Sequence, residues 1–499
     1  MTTKSQFDVV IAGTGNAALS AAISASEQGA GVLMLEKGPK SKRGGNSFFT
    51  DGAIRFAYND IEGIKNVVDG FNAEDARSIE VPEYKHAHFH NDLMKVTQGK
   101  SNPELAEHLI SNSCDTIQWM KKQGVSFVMN ENQYFEKEGK KIFWGGLPVK
   151  TERKGIGLVE ALFAKAEEKG VEIWYEAPGV RLEQTDDRIT GIIVNKDDQE
   201  TLVKCKSVIL ACGGFEANKE KRMKHLGDEW ENAIVRGSEY NTGDGIRMAA
   251  EAGAAQAGQY DGCHAHTTDF NAPKVGDYSK PGDIYKKSSY PVGLIVNQEG
   301  RRFVDEGADF RNYTYAKYGK ETLKQTNHKA FQLYDSKVRP MLRKEYELEE
   351  ATVIKADSLD ELAVKMEVDK SNFLETIENY NHAVQDGEYN PSIKDGKSTK
   401  GVSPEKTNWA LKFDEAPFYA YPVTCGITFT FGAIKSNNRA EALDTSGEAV
   451  KGLYVAGEMV GELFYHNYPG GSGLMSGSVF GRTAGISAAE YIHSMAAIE

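Results

Sequence analysis

Two glycines, an alanine and a glutamate near the start of the chain could together hold a dinucleotide. Gly13, Gly15 and Ala18 stand in a G-x-G-x-x-A spacing, with Glu36 further on. In such a pattern the first glycine permits a tight turn and the second lets backbone approach a pyrophosphate. Ala18 is small enough for a helix to pack closely on a strand, and Glu36 can accept hydrogen bonds from ribose hydroxyls. The elements that must position them are legible beside them. Residues 8–12 are a β-branched run that reads as a strand, residues 19–25 are small helix formers, and residues 32–35 read as a second strand ending at Glu36. The N-terminus of that helix, at Asn16 and Ala17, offers free N–H groups to phosphates. The pattern specifies a dinucleotide and leaves FAD and NAD open.

Further glycine turns recur at intervals that suit the same ligand. Gly44, Gly45, Asn46 and Ser47 form a loop too glycine-rich for regular structure, suited to wrapping a cofactor ring. A buried-looking strand at 207–210 runs through Ala211 into Gly213 and Gly214, where a ligand could approach backbone. Asp244 lies in a glycine-flanked helix start, and a strand at 452–456 runs into Gly457 and Glu458. With Lys37, Gly179, Val180, Ser472 and Leu474, these residues make up the expected cofactor contacts.

The composition limits what the chain can bind. Fifty-nine basic and 72 acidic residues give a net charge of −13, which disfavours nucleic acid and anionic membranes. An anionic substrate then needs a local cluster of Arg and His. No apolar run approaches the ~18 residues of a membrane span. The five cysteines are scattered, with no C-x-x-C, so no haem, iron–sulfur or zinc spacing is present. A cytoplasmic protein with no signal peptide is expected, and its electrons must leave through a partner protein, a quinone or another diffusible acceptor.

Helices are expected from Pro103 to Gly124, at 158–169, at 246–252, at 359–366, at 373–384 and at 480–491, and a hairpin at 189–203. Residues 56–90 are polar and give no regular pattern. The nucleotide style returns after about residue 412, so two domains are expected. Segments 1–258 and 413–499 would form a discontinuous Rossmann-like α/β domain. Segment 259–412, which holds the pair His264 and His266, would be an inserted α+β cap.

Six motifs in order resemble the flavoprotein family of soluble fumarate reductases, succinate dehydrogenase flavoproteins and 3-ketosteroid dehydrogenases. They lie at residues 13–15, 44–47, 211–214, 242–245, 300–306 and 456–458. Stretches at 305–315, 424–432 and 467–471 are further similar to tricarballylate dehydrogenases. The resemblance implies FAD, held non-covalently because no histidine lies in residues 43–47, and hydride transfer at a C–C bond activated by a carboxylate or carbonyl. It implies that His264 holds a substrate carboxylate and that Arg311 handles the proton, one position off the family's register. Tyr468 stands where fumarate reductases place a second arginine, and Phe429 where they place a second histidine. Half of a dicarboxylate clamp is thus absent, and Tyr468 is expected to share the proton chemistry with Arg311. Arg55 could bind a further carboxylate. A tricarballylate-type polycarboxylate is the leading substrate class, with a ketosteroid-type or other enone or enoate substrate as the alternative. From a different class, a flavin-binding sensor or electron carrier would fit if the cleft were plugged by side chains.

Overall fold

The structure is a computed structural model and describes residues 6–131, 133–280 and 282–496. Strand β1 (Val9–Ala12) is fully buried, as four consecutive apolar residues require. It lies inside a nine-stranded sheet. It pairs in parallel with β2 (Val32–Leu35) on one side and with Ser207–Leu210 on the other. The C-terminal strand Ala449–Val455 then pairs in parallel with Ser207–Leu210, so the last part of the chain completes the sheet that the first part begins. The expected hairpin forms the edge, with Arg188–Lys196 antiparallel to Gln199–Lys204.

Helix α1 (Asn16–Glu27) is buried from Asn16 to Ala25, because a second helix lies directly on it. That partner runs from Ser472 to Ala496, much longer than the 480–491 expected, since it begins at once from the glycine loop. Small residues allow the approach. A Cβ on Gly481 would stand 2.3 Å from the Ala17 carbonyl oxygen, and one on Gly485 2.3 Å from that of Ala21.

A six-stranded sheet builds the second region around the 17-residue strand Phe418–Ile434. This strand pairs antiparallel with Gln256–Asp269 and with Ala330–Tyr334, and parallel with Ile234–Val235. The sheet reaches beyond the 259–412 segment at both ends, with Gln256–Asp269 beginning just before it and Phe418–Ile434 lying after it. The pairing partners lie at least 85 residues apart in the chain, the separation of Tyr334 and Tyr419, so nothing local marks the limits of the sheet. Helices Leu359–Met366 and Lys370–Ala383 cover this sheet, burying Leu362, Met366, Phe373 and Ile377 against Phe331 and Leu333. The stretch 56–90, which gave no pattern, contains short helices and leads into an amphipathic helix, His86–Thr97. Among the described residues no helix is long and apolar enough to cross a membrane.

Candidate active site

A cleft of ≈ 330 Å³ opens between the two sheets, and both contribute to its walls. Its floor is the nucleotide-binding unit. Gly13 turns β1 into α1 at φ +111°, and a Cβ there would stand 2.4 Å from the Ala211 carbonyl oxygen, so only glycine fits. No side chain caps α1 at Gly15 and no acid lies in its first turn, which leaves helix N–H groups facing the cleft. The Asn16 backbone N–H donates to Ser47 Oγ at 3.0 Å, and its Nδ2 donates to the Leu474 carbonyl at 2.8 Å. Glu36 is 6% exposed and accepts from the Thr14 hydroxyl and, at 2.8 Å, from the Gly38 N–H. Burial raises its pKa against those bonds. Lys37 and Asp244 meet at 2.8 Å on the same wall.

The opposite wall comes from the second sheet and carries most of the charge. His264 sits opposite Phe429 in the strand pair, beside register shifts on both sides that re-aim it. Its ring stacks on Tyr468 at 4.8 Å and meets Tyr315 edge-on at 4.6 Å. It is 2% exposed, yet neither ring nitrogen has a protein partner. Burial, then the charge of Arg236, holds its pKa well below the usual histidine value, so the ring is neutral. His266 is the same, with Nδ1 bonded to the Thr267 carbonyl at 2.6 Å and Nε2 unpartnered.

Arg236 follows the short strand Ile234–Val235. It grips Asp283 through Nη2 and through Nε at 3.0 Å, and its Nη1 is buried without a partner. Asn312 Nδ2 is likewise unpartnered. Arg311 opens helix α2 (Arg311–Leu323) and makes no side-chain hydrogen bond or ion pair among the described residues. Burial, then the nearby charge of Arg343, pushes its pKa down to about 10. Asp51 on the same wall is held at about 2: burial opposes its ionisation, but Lys286, Lys154 and Arg343 outweigh it. Tyr468 goes the other way. Burial, then Tyr315, raises its pKa well above 10, so it is a hydrogen-bond donor and a poor base. The charge of Arg236 lowers it, but desolvation outweighs that effect.

The sequence profile described as the FAD-binding domain matches residues 8–474. The chain belongs to this family. It is 28% identical to the vinyl phenol reductase of Lactiplantibacillus plantarum, over 99% of this chain and 98% of that one. It is 26% identical to the 3-oxosteroid 1-dehydrogenase of Mycolicibacterium smegmatis, over 95% of each chain. Its fold matches the open conformation of a flavocytochrome c3 fumarate reductase with a TM-score of 0.74 and 25% identity, over 98% of this chain and 78% of that one. The protein is an FAD-dependent oxidoreductase acting on CH–CH groups, of the fumarate reductase and ketosteroid dehydrogenase type.

The floor fits the FAD of this family. Uncapped N–H groups at α1 suit its pyrophosphate, and the Glu36 carboxylate, which lines the cleft, can accept from ribose hydroxyls. Of the expected cofactor residues, Gly13, Gly15, Ala17, Gly45, Asn46 and Gly179 line the cleft, as do Ala211, Gly213, Gly457 and Glu458. Four do not. Gly44 donates its N–H to Thr14, Gly214 packs on Thr430 and Glu458, the Val180 carbonyl accepts from Arg247, and Ser472 bonds the Pro469 carbonyl. These four hold the wall from behind. Arg55 is completely buried and is not among the residues that line the cleft. It donates to Asp92 at 3.1 Å, to Tyr84 and to the Gly470 carbonyl at 2.8 Å, leaving one nitrogen, Nη2, without a protein partner. Arg236, Asp283, Lys286, Asn312, Tyr315 and Arg343 all line the cleft and were not legible in the sequence. They arrive from four stretches of the second region, around residues 236, 283–286, 312–315 and 343, which only the fold brings together.

Proposed function

We propose that this flavoenzyme acts on a tricarballylate-type polycarboxylate, forming or saturating a C=C bond next to a carboxylate. The observation that carries the reading is the charge of one wall. Arg236, Lys286 and Arg343 pair with Asp283, Asp51 and Glu345, and Arg311 adds a cation with no counter-ion among the described residues, in a protein whose net charge is −13. Two of the buried donors there, Arg236 Nη1 and Asn312 Nδ2, lack any protein partner, as a site does when its ligand supplies the acceptors. Guanidinium groups suit carboxylates because both are planar and bidentate. Bound FAD supplies the hydride acceptor or donor at N5. Arg311 holds the transferred proton, and its lowered pKa brings that exchange nearer to neutral pH than an ordinary arginine allows. His264 and Arg236 orient the acid groups, while Tyr315 and Phe429 exclude water.

The hydroxyl pair of Tyr315 and Tyr468 favours a second reading, an enone or ketosteroid-type substrate whose carbonyl takes the phenol protons. Arg311 counts against it, because Arg236, Lys286 and Arg343 are answered by Asp283, Asp51 and Glu345 whereas a neutral substrate leaves the Arg311 guanidinium without a counter-ion among the described residues. An open cleft also counts against a carrier or sensor without a substrate. We further propose that FAD is non-covalent, that the enzyme is cytoplasmic and that it exchanges electrons with a protein or quinone. Anaerobic mixing with tricarballylate, succinate, aconitate, fumarate and a 3-keto steroid tests the substrate reading. Loss of flavin absorbance with tricarballylate, or reoxidation of the reduced flavin by aconitate, is expected. A response to the steroid alone overturns the reading.

A further inference from the structure

Glu216, which is buried, and Glu458, which is half-buried, are two acidic side chains set against each other at the edge of the cleft. Glu458 lines the cleft after the Gly457 turn, and Glu216 lies behind it, with no exposed surface. Glu458 Oε1 accepts from the Thr430 N–H at 2.6 Å and from its hydroxyl at 3.0 Å. Glu216 Oε1 accepts from Asn46 Nδ2 and Asn241 Nδ2, each at 2.6 Å. Its other oxygen, Oε2, has no donor at all. The two carboxyl groups are within hydrogen-bonding reach of each other, and burial raises the pKa of both, that of Glu458 further because Glu216 faces it. Two carboxylates cannot sit in such contact without a proton between them.

The segments that meet here are those that shape the cofactor floor. Asn46 also donates to the Thr428 carbonyl at 2.9 Å and accepts the Ser238 N–H at 2.8 Å. Thr428 and Thr430 belong to the long strand Phe418–Ile434 of the second sheet. Thus the ring-side loop of Asn46, the turns at Gly213 and Gly457, and the second sheet are joined through this one acid pair.

We propose that Glu216 is a positioning residue, sharing one proton with Glu458 and thereby holding the cofactor loops against the second sheet, so that FAD is retained only while the proton is present. The other titratable groups around the pair do not pre-empt it. Cys263 and Tyr468 are both held well above their ordinary pKa values by burial, so each keeps its proton. Arg222, lowered by burial, stays a cation and is tied to the Glu216 carbonyl at 2.6 Å. The sign follows from linkage. A carboxyl whose folded pKa is raised supports the folded arrangement at low pH, and that support is lost as pH rises through the folded value. Glu216→Gln is the discriminating variant. Its amide keeps an acceptor for Asn46 and Asn241 and supplies a permanent donor to Glu458.

The test is the rate of FAD release from the purified holoenzyme, followed by the recovery of free-flavin fluorescence at a series of pH values. Wild-type release should accelerate with rising pH by up to about tenfold per unit, the slope of one proton. Glu216→Gln should keep its FAD and show no such slope. Infrared difference spectra should lose one protonated-carboxyl C=O band in that variant. Wild-type release independent of pH, an equal slope in Glu216→Gln, or an unchanged carboxyl band would each overturn the proposal. None of these readouts depends on the substrate.

Discussion

The two walls of the cleft differ in how far the protein itself completes them. On the floor, Asn16, Lys37, Asn46 and Asp244 have their polar side-chain contacts made within the chain, in geometry fixed before any ligand arrives. On the facing wall, Arg236 Nη1, both nitrogens of His264, His266 Nε2 and Asn312 Nδ2 are buried with nothing to bond. A buried polar group without a partner costs ~1–3 kcal/mol. The wall that carries this cost is the one left for the substrate. The floor is built for tight, permanent holding, and the facing wall for exchange.

Substitutions can break this contrast. The largest effect is expected at Arg311. Arg311→Ala should lower turnover by about 10²–10⁴-fold, the usual contribution of a general acid–base group, with flavin content unchanged. Arg311→Lys should also be severely impaired, because an ammonium cannot reproduce the planar fork. On the floor, Glu36→Ala should do the converse. Loss of charge-assisted bonds worth ~1.5–3 kcal/mol should weaken FAD binding by about 10–150-fold, read by equilibrium fluorescence on refilled apoprotein. Activity at saturating FAD should be retained. Tyr468→Phe should be milder: as a neutral donor its loss amounts to ~0.5–1.5 kcal/mol, or about 2–13-fold in kcat/KM. A drop of several orders of magnitude would restore the tyrosine to proton transfer.

The smallest effect concerns pH. His264 and His266 are held neutral by burial, with pKa values below that of the unfolded chain, ~6.5. Their contribution to stability is present above that value and is lost as pH falls through their depressed folded values. The melting temperature should therefore decline on acidification below about pH 6.5. A bound polycarboxylate, by favouring the charged rings, should shrink that decline, whereas added FAD should not change its slope.

The floor was legible in the sequence because its signals are local. Gly13, Gly15, Ala18 and Glu36 lie within one strand–helix–strand unit, whose register is fixed by short-range packing. Most of the facing wall was not. His264 stood out through its motif, but Arg236, Asp283 and Arg343 come together only when strands far apart in the chain pair. The setting of Arg55 was hidden for a related reason. After Asp51 and Gly52 it reads as a loop residue, yet Asp92, on a helix that the polar stretch before it concealed, draws it into the interior. Tyr468 lines the cleft, and its acidity depends on burial that spacing cannot report.

The central claim is that the facing wall reads carboxylates by their number. The most direct measurement compares kcat/KM for tricarballylate and succinate, in the wild type and in Arg343→Gln, with one electron acceptor throughout. The wild type should prefer the tricarboxylate by about 10-fold or more, the worth of one charge-assisted bond. Arg343→Gln should lose most of that preference while keeping its flavin. Equal use of the two acids by the wild type, or a preference that survives in Arg343→Gln, would contradict the account.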